Sequence, residues 1–242
     1  MDDKPLNNID FNIKLWNSYS KNWDKKKVFL ENPNISESER DNYLKYLGDE
    51  WGTISDIPPI INEFIYPYIT IDSITMEIGT GGGRIATKVV DKVKEFYCID
   101  VSIEMLTRVK TVLNNYTNVN YVLIKEPESL TKLDVKFDFI FSFDVFVHLD
   151  LHMIWRYLKV IDKILKDDGV AFLHTTNLKA PDGWERFSKQ KEYNPATHYF
   201  ITPEMIDTLI KHTELEIIKS SNFDKNNLYL NRDYLFVLKK TL

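Results

Sequence analysis

The stretch Ile74-Thr75-Met76-Glu77-Ile78-Gly79-Thr80-Gly81-Gly82-Gly83-Arg84 decides the fold. Its first five residues alternate apolar and polar, include β-branched side chains and stop at glycine, which predicts a strand feeding a tight turn. Gly79, Gly81, Gly82 and Gly83 leave the backbone bare enough for a ligand to approach it closely. Apolar residues then recur at helical spacing from Ile85 to Val90, so the free N–H groups of a helix start would face whatever sits on the turn. A dinucleotide-binding turn carries glycines at its first, third and sixth positions. Counted from Gly79, the sixth position is Arg84, and Glu77 stands two residues ahead of the first glycine.

Downstream of this turn, strand and helix alternate. Lys94–Asp100 reads as a second strand ending in a carboxylate, and Ser102 caps a helix through Met105, Val109 and Leu113. Val119–Ile124, Phe137–Ser142 and Val170–Thr175 read as further strands, with a helix over Leu151–Leu165. Two strand-like runs, Leu215–Lys219 and Tyr234–Lys239, close the chain, and the polar run from Ser221 to Tyr229 reads as the loop between them. This βαβ alternation predicts a mostly parallel sheet of seven strands with helices on both faces.

The first seventy or so residues lack that rhythm. Helical spacing with an aromatic face runs through Trp16, Tyr19 and Trp23; a capping box at Ser36-Glu37-Ser38-Glu39 predicts a helix towards Leu47; Pro58-Pro59 opens a third. Residues 1–70 are expected to form a helical lid and residues 71–242 the nucleoside-binding domain, with residues 177–200 a substrate-side insertion.

Composition bounds the function. Of 242 residues, 43% are hydrophobic and 28% charged, the balance of a globular protein with a sizeable core. A net charge of −5 argues against a general nucleic-acid binder. The apolar window Phe137–Leu149 is broken by Asp138 and Asp144 and is too short for a bilayer, and the acidic start is no signal peptide, so a cytoplasmic location and no membrane partner are expected. The lone Cys98 excludes an internal disulfide and a cysteine-cluster metal site, and its apolar neighbours predict a buried thiol. Asp144 and His148 together do not make a metal site, and no metal is expected.

In an open α/β sheet, ligands sit beyond the carboxyl ends of the central strands, which selects Glu77, the glycines, Asp100, Glu126 or Glu128, Ser142 to His148 and His174 to Asn177. Asp100 has lone pairs for both hydroxyls of a ribose, a feature that NAD and S-adenosylmethionine (SAM) proteins share. Glu-Ile-Gly-Thr-Gly-Gly-Gly-Arg (77–84), Tyr-Cys-Ile-Asp (97–100), Phe-Asp-Phe-Ile-Phe-Ser-Phe-Asp (137–144) and Ile-Leu-Lys-Asp-Asp-Gly-Val (164–170) together resemble motifs I, II, IV and V of the class I SAM-dependent methyltransferases of the small-molecule type. The resemblance implies a Rossmann-like class I methyltransferase fold with SAM as cofactor. It implies a cofactor site of Glu77, Gly79, Thr80, Gly81, Gly83, Asp100, Val101, Met105, Ser142 and Phe143. Many members place an aspartate after strand three against the adenine amino group; here Glu126 is the residue in reach.

The segment Ser142–Leu149 is similar to that of phosphoethanolamine N-methyltransferases, in which a histidine at the position of His148 pairs with a tyrosine from an N-terminal helix; Tyr19 is the candidate partner. A hydroxyl acceptor needs a base, and histidine titrates in the useful range. His174, Asn177, His198 and Tyr199 are candidate substrate contacts. The expected activity is methyl transfer to a hydroxyl of a small polar molecule such as a sugar or secondary metabolite. N-methylation of a small amine is the near alternative, and an NAD-dependent oxidoreductase or a non-catalytic SAM-binding module are the rivals from other classes.

Overall fold

A computed structural model describes residues 8–23, 46–52, 55–192 and 197–241. The strands are β1 (Ile74–Ile78), β2 (Glu95–Asp100), β3 (Val119–Leu123), β4 (Phe137–Ser142), β5 (Leu165–Thr176), β6 (Leu215–Ser220) and β7 (Asp233–Lys240). They form one seven-stranded sheet in the order β3-β2-β1-β4-β5-β7-β6. β1 to β5 pair in parallel, and β7 runs antiparallel to both β5 and β6. From β1 the chain first builds outward through β2 and β3, then returns to place β4 on the other side of β1. That reversal opens a crevice beyond the carboxyl ends of β1 and β4, where ligands of such sheets bind.

The helices are α1 (Asn8–Asn22), α2 (Ile57–Phe64), α3 (Ala86–Val89), α4 (Ile103–Val112), α5 (Leu151–Ile164), α6 (Pro181–Lys189), α7 (Pro203–Ile210) and α8 (Leu228–Arg232). Helices cover both faces of the sheet, so its central strands read as near-continuous apolar runs while their side chains still alternate between two cores. Met76, Ile78, Ile99, Ile140, Leu173 and Phe236 face the core built with α5 and α7, which Ile9 of α1 joins. Phe96, Cys98, Phe139, Phe141, Phe172 and Val237 face the core built with α2, α3 and α4. Cys98 is fully buried.

Local chemistry sets the element ends. Ser102 accepts from the backbone N–H of Met105 at 3.1 Å and caps α4; Asp150 does the same for α5 through Met153 at 2.8 Å. Pro181 and Pro203 stand at the first positions of α6 and α7, where a missing N–H costs nothing.

Three expectations change in detail. The helix after the glycine turn is a single turn, α3, continued by a 3-10 turn over Val90–Lys92, because β-branched residues crowd it and β2 begins at Glu95. The stretch from 177 to 200 contains α6. Asn227 accepts from the N–H groups of Tyr229 and Leu230 and starts α8 inside the segment expected to be a loop. The helix expected from Ser36 lies outside the described residues except at its end, where Leu47 and Gly48 form a turn into a 3-10 turn over Asp49–Trp51. Among the described residues, no helix is long and apolar enough to cross a membrane, and no cluster of three or more His, Cys, Asp or Glu side chains is arranged to hold a metal.

Candidate active site

Two adjoining cavities occupy the crevice. The first runs along the glycine turn and the end of β2. Gly79 and Gly81 take φ values of 74° and 54°, a region costly for any residue with a Cβ. A Cβ on Gly79 would also lie 2.3 Å from Val145, whereas one on Gly81 would project into open space. Asp100 closes the turn from the other side. Its Oδ2 accepts from the backbone N–H of Gly81 at 3.0 Å and its Oδ1 from that of Ser102 at 2.8 Å. Each oxygen keeps a further lone pair for a ligand hydroxyl.

Glu77 sits beneath this turn, 3% exposed, and accepts from the hydroxyl of Thr80 at 2.8 Å. Burial pushes its carboxyl up to about 8, against the lowering effect of Thr80 and Arg84. Burial likewise raises Asp100 to about 6, with the backbone donors of Ser102 and Gly81 opposing it. Val101, Met105, Ile124, Leu149, Met153 and Tyr157 supply the apolar far end of the cavity.

The second cavity opens from the first across Trp16, Trp51 and Asp144, which line both. Asp144 stands two residues beyond the end of β4 and has a φ of 58°, rare for a residue other than glycine but tolerated by aspartate. Its backbone N–H donates to Nδ1 of His174 at 3.1 Å. Its carboxylate receives Arg84 and, at 2.9 Å, the hydroxyl of Tyr229. Burial alone would raise that carboxyl; Arg84, His174 and Arg232 outweigh it and hold Asp144 at about 2. Nε2 of His174 lies 3.0 Å from Asp233, an electrostatic contact without the angle of a hydrogen bond, and Asp233 also pairs with Arg232. A buried polar chain thus links the glycine turn to the start of β7.

His148 ends the 3-10 turn Phe146–His148 and lines the second cavity. Its Nδ1 lies 3.1 Å from the carbonyl oxygen of Thr197. A carbonyl only accepts, so Nδ1 carries the proton and the basic lone pair is on Nε2. Burial lowers the pKa of this ring, which favours the neutral form. Trp16 packs on it edge-on at 5.1 Å, and His198 lies 5.4 Å away between ring centroids. His198 takes a hydrogen bond on Nε2 from Arg186 at 2.8 Å, and burial with Arg186 beside it drives its pKa down to about 3.

Residues 76–171 match a family model described as a methyltransferase domain. That match runs from β1 into β5. No curated protein matches it in sequence. Its fold is similar to magnesium protoporphyrin IX methyltransferase from Synechocystis PCC 6803, solved with bound S-adenosylhomocysteine (SAH), at 12% identity over 97% of this chain and 100% of that one, with a TM-score of 0.67. It is similar to the N-methyltransferase NodS from Bradyrhizobium japonicum WM9 in complex with SAH, at 13% identity over 96% and 100% of the chains, with a TM-score of 0.60. The CcbJ methyltransferase from Streptomyces caelestis aligns at 17% identity over 84% and 96% of the chains, with a TM-score of 0.60. At these identities the likeness is one of fold.

The first cavity gathers Glu77, Gly79, Thr80, Gly81, Asp100, Val101, Met105 and Phe143. Ser142 lies just beneath, its hydroxyl donating to the carbonyl of Ile78 at 2.8 Å, and Gly83 turns towards Val109 of α4. Glu126 pairs with Arg156 on the surface, its side chain 55% exposed, away from the cavity that Ile124 lines. Tyr19, His148 and His198 share the second cavity, with the hydroxyl of Tyr19 donating to Glu50. His174 is wholly buried behind Asp144. Asn177 accepts from the N–H of Lys179 in the turn before α6, and the backbone of Tyr199 bonds to Val147 and Thr176. The sequence reading passed over Arg84, Asp144 and Tyr229 as a unit. Asp144 alone carried a signal, a charge two residues beyond an apolar strand; its pairing with residues far along the chain did not.

Proposed function

We propose that this methyltransferase uses SAM to methylate a hydroxyl of a small polar acceptor, with His148 as the base. The first cavity fits SAM: two desolvated carboxyl groups, Glu77 and Asp100, stand in a largely apolar pocket, and a ligand with cationic and hydroxyl donors would relieve both. Asp100 would hold the ribose hydroxyls; Val101, Met105 and Ile124 would cover the adenine; the turn at Gly79 and Gly81 would back the methionine end. When bound, SAM supplies a methyl carbon on a sulfonium, which an acceptor oxygen displaces in line while the bonding electron pair stays on sulfur. The chain's task is alignment, exclusion of water and removal of one proton.

The single observation that carries the hydroxyl reading is the tautomer of His148. The Thr197 carbonyl keeps the proton on Nδ1, and burial keeps the ring neutral, so Nε2 is a base at neutral pH beside the junction of the two cavities. Trp16 and Trp51 wall that junction, while Tyr19 and Glu50 flank the acceptor side.

Calorimetric titration with SAM, SAH and NAD tests the cofactor: binding of the first two and not the third is expected, and Asp100→Asn should weaken SAM by about tenfold. Transfer of labelled methyl groups to a panel of hydroxyl and amine acceptors then tests the base. His148→Gln should lower kcat by roughly a hundredfold or more, the ordinary contribution of a positioned base. The acid limb of the wild-type profile should lie below the usual histidine value. Unchanged turnover and an unchanged pH profile in His148→Gln would remove that role and favour the amine.

A further inference from the structure

Among the described residues, the second cavity carries one cation, Arg186, that no carboxylate matches. α6 turns Asp182, Glu185, Arg186 and Lys189 towards it, one face of the helix. Glu185 and Lys189 pair with each other at 2.5 Å. Asp182 stands in the first turn of α6, where the helix dipole favours a carboxylate. Arg232, on the same wall, is paired with Asp233, and Asp144 with Arg84. Glu50 is satisfied by Tyr19, by Nε1 of Trp23 at 2.9 Å and by the N–H of Gly48 at 2.8 Å. Arg186 remains. Among the described residues it pairs with no carboxylate, and its polar contact is the one Nη1 makes to Nε2 of His198.

A guanidinium presents five N–H donors in a rigid fork, and one hydrogen bond to an imidazole leaves most of them for a ligand. The position is also electrostatically primed. Desolvation and the like charge of Arg232 both disfavour the charged form of Arg186, and an anion placed against it relieves both. Its hydrogen-bonded partner His198 is the ring next to His148, so a group seated on Arg186 lies one imidazole away from the base.

We propose that Arg186 binds an oxyanion, a carboxylate or phosphate, on the methyl acceptor, which makes the acceptor a small hydroxylated acid. This rests on the reading of the second cavity as the acceptor site. The anion fixes one end of the molecule on the fork, and the hydroxyl at the other end meets Nε2 of His148. The bidentate geometry of arginine with carboxylate or phosphate gives orientation as well as affinity.

The test is calorimetric titration of the full chain, first with SAH and then with inorganic phosphate and with acetate at constant ionic strength. Saturable binding of at least one anion is expected, weakened about tenfold or more in Arg186→Gln and by less in Arg186→Lys, which keeps the charge but loses the fork. Lys163→Gln, on α5 and lining neither cavity, should stay within about twofold of wild type. The tighter of the two anions identifies the class. Arg186 is only partly covered and pairs with no carboxylate among the described residues, so its variants should melt as wild type does. Absence of saturable binding by either anion, or equal affinity in Arg186→Gln and wild type, overturns the proposal. A chain that fails to bind SAH refutes the cofactor reading instead, and the anion titration of the unliganded chain still reads Arg186.

Discussion

Asp144 concentrates the unusual features of the site. It has a positive φ, a carboxylate held at about 2, and a buried guanidinium and phenol as partners. Removing one member of such a pair strands the other charge away from water. Asp144→Asn keeps the backbone conformation but leaves Arg84 unmatched, and should destabilise the fold by roughly 3–5 kcal/mol in urea unfolding. Arg84→Met combined with Asp144→Asn should cost less than the two single changes summed, because the double variant strands neither member of the pair. Additive losses would show that the pair does not act as one unit. Glu77 is the opposite case, a carboxyl whose pKa is raised by burial from 4.5 to about 8. Between those values the folded chain keeps a proton that the unfolded chain releases, so stability falls as pH rises through the window and levels off above it. Glu77→Gln should therefore melt higher than wild type at pH 8 and nearly alike at pH 4.5, with a flatter profile between. Equal slopes in the two proteins would rule out Glu77 as the source.

At the scale of elements, α1 joins the two cavities. Ile9, Asn12 and Trp16 share one face and line the first; Leu15, Trp16 and Tyr19 line the second. The helix is anchored on α4, where Arg108 donates to the carbonyl of Ser20 and Ser102 donates to Asn17 at 2.8 Å. Trp16→Ala should weaken SAH by about tenfold, about 1.4 kcal/mol, and reduce methyl transfer beyond that. Hydrogen exchange should slow in the amides of Asn12 to Ser20 when SAH is added, with no change across β4. Loss of transfer with SAH affinity intact would confine α1 to the acceptor side. This helix was legible in the sequence as a period of aromatic residues, because helical spacing is local. The αL aspartate beyond β4 and the arrival of Arg232 and Asp233 behind it were not, because they depend on β7 entering antiparallel beside β5.

The whole molecule repeats that division. β1 and the carboxylate ending β2 could be read directly, since a strand, a glycine turn and a buried acid are coded in neighbouring residues. Glu126 shows the limit: its distance along the chain from β3 was right for the cavity, yet Arg156 of α5 draws it to the surface and Ile124 faces inward instead. The wall of the second cavity is assembled from α1, the 3-10 turn at His148, α6 and α8, and only folding brings these together. A ligand in the first cavity touches α1, the glycine turn, β2 and α5 at once, so its binding should register in global stability. A ligand that binds only the folded state stabilises it by about 2.7 kcal/mol at a hundred times its Kd. For a chain of this length that is roughly a 5–10 °C rise in melting temperature. SAH at that excess should produce such a rise and NAD at equal concentration none. A rise with NAD and none with SAH would mean that the pocket selects a dinucleotide despite Arg84 in its glycine turn.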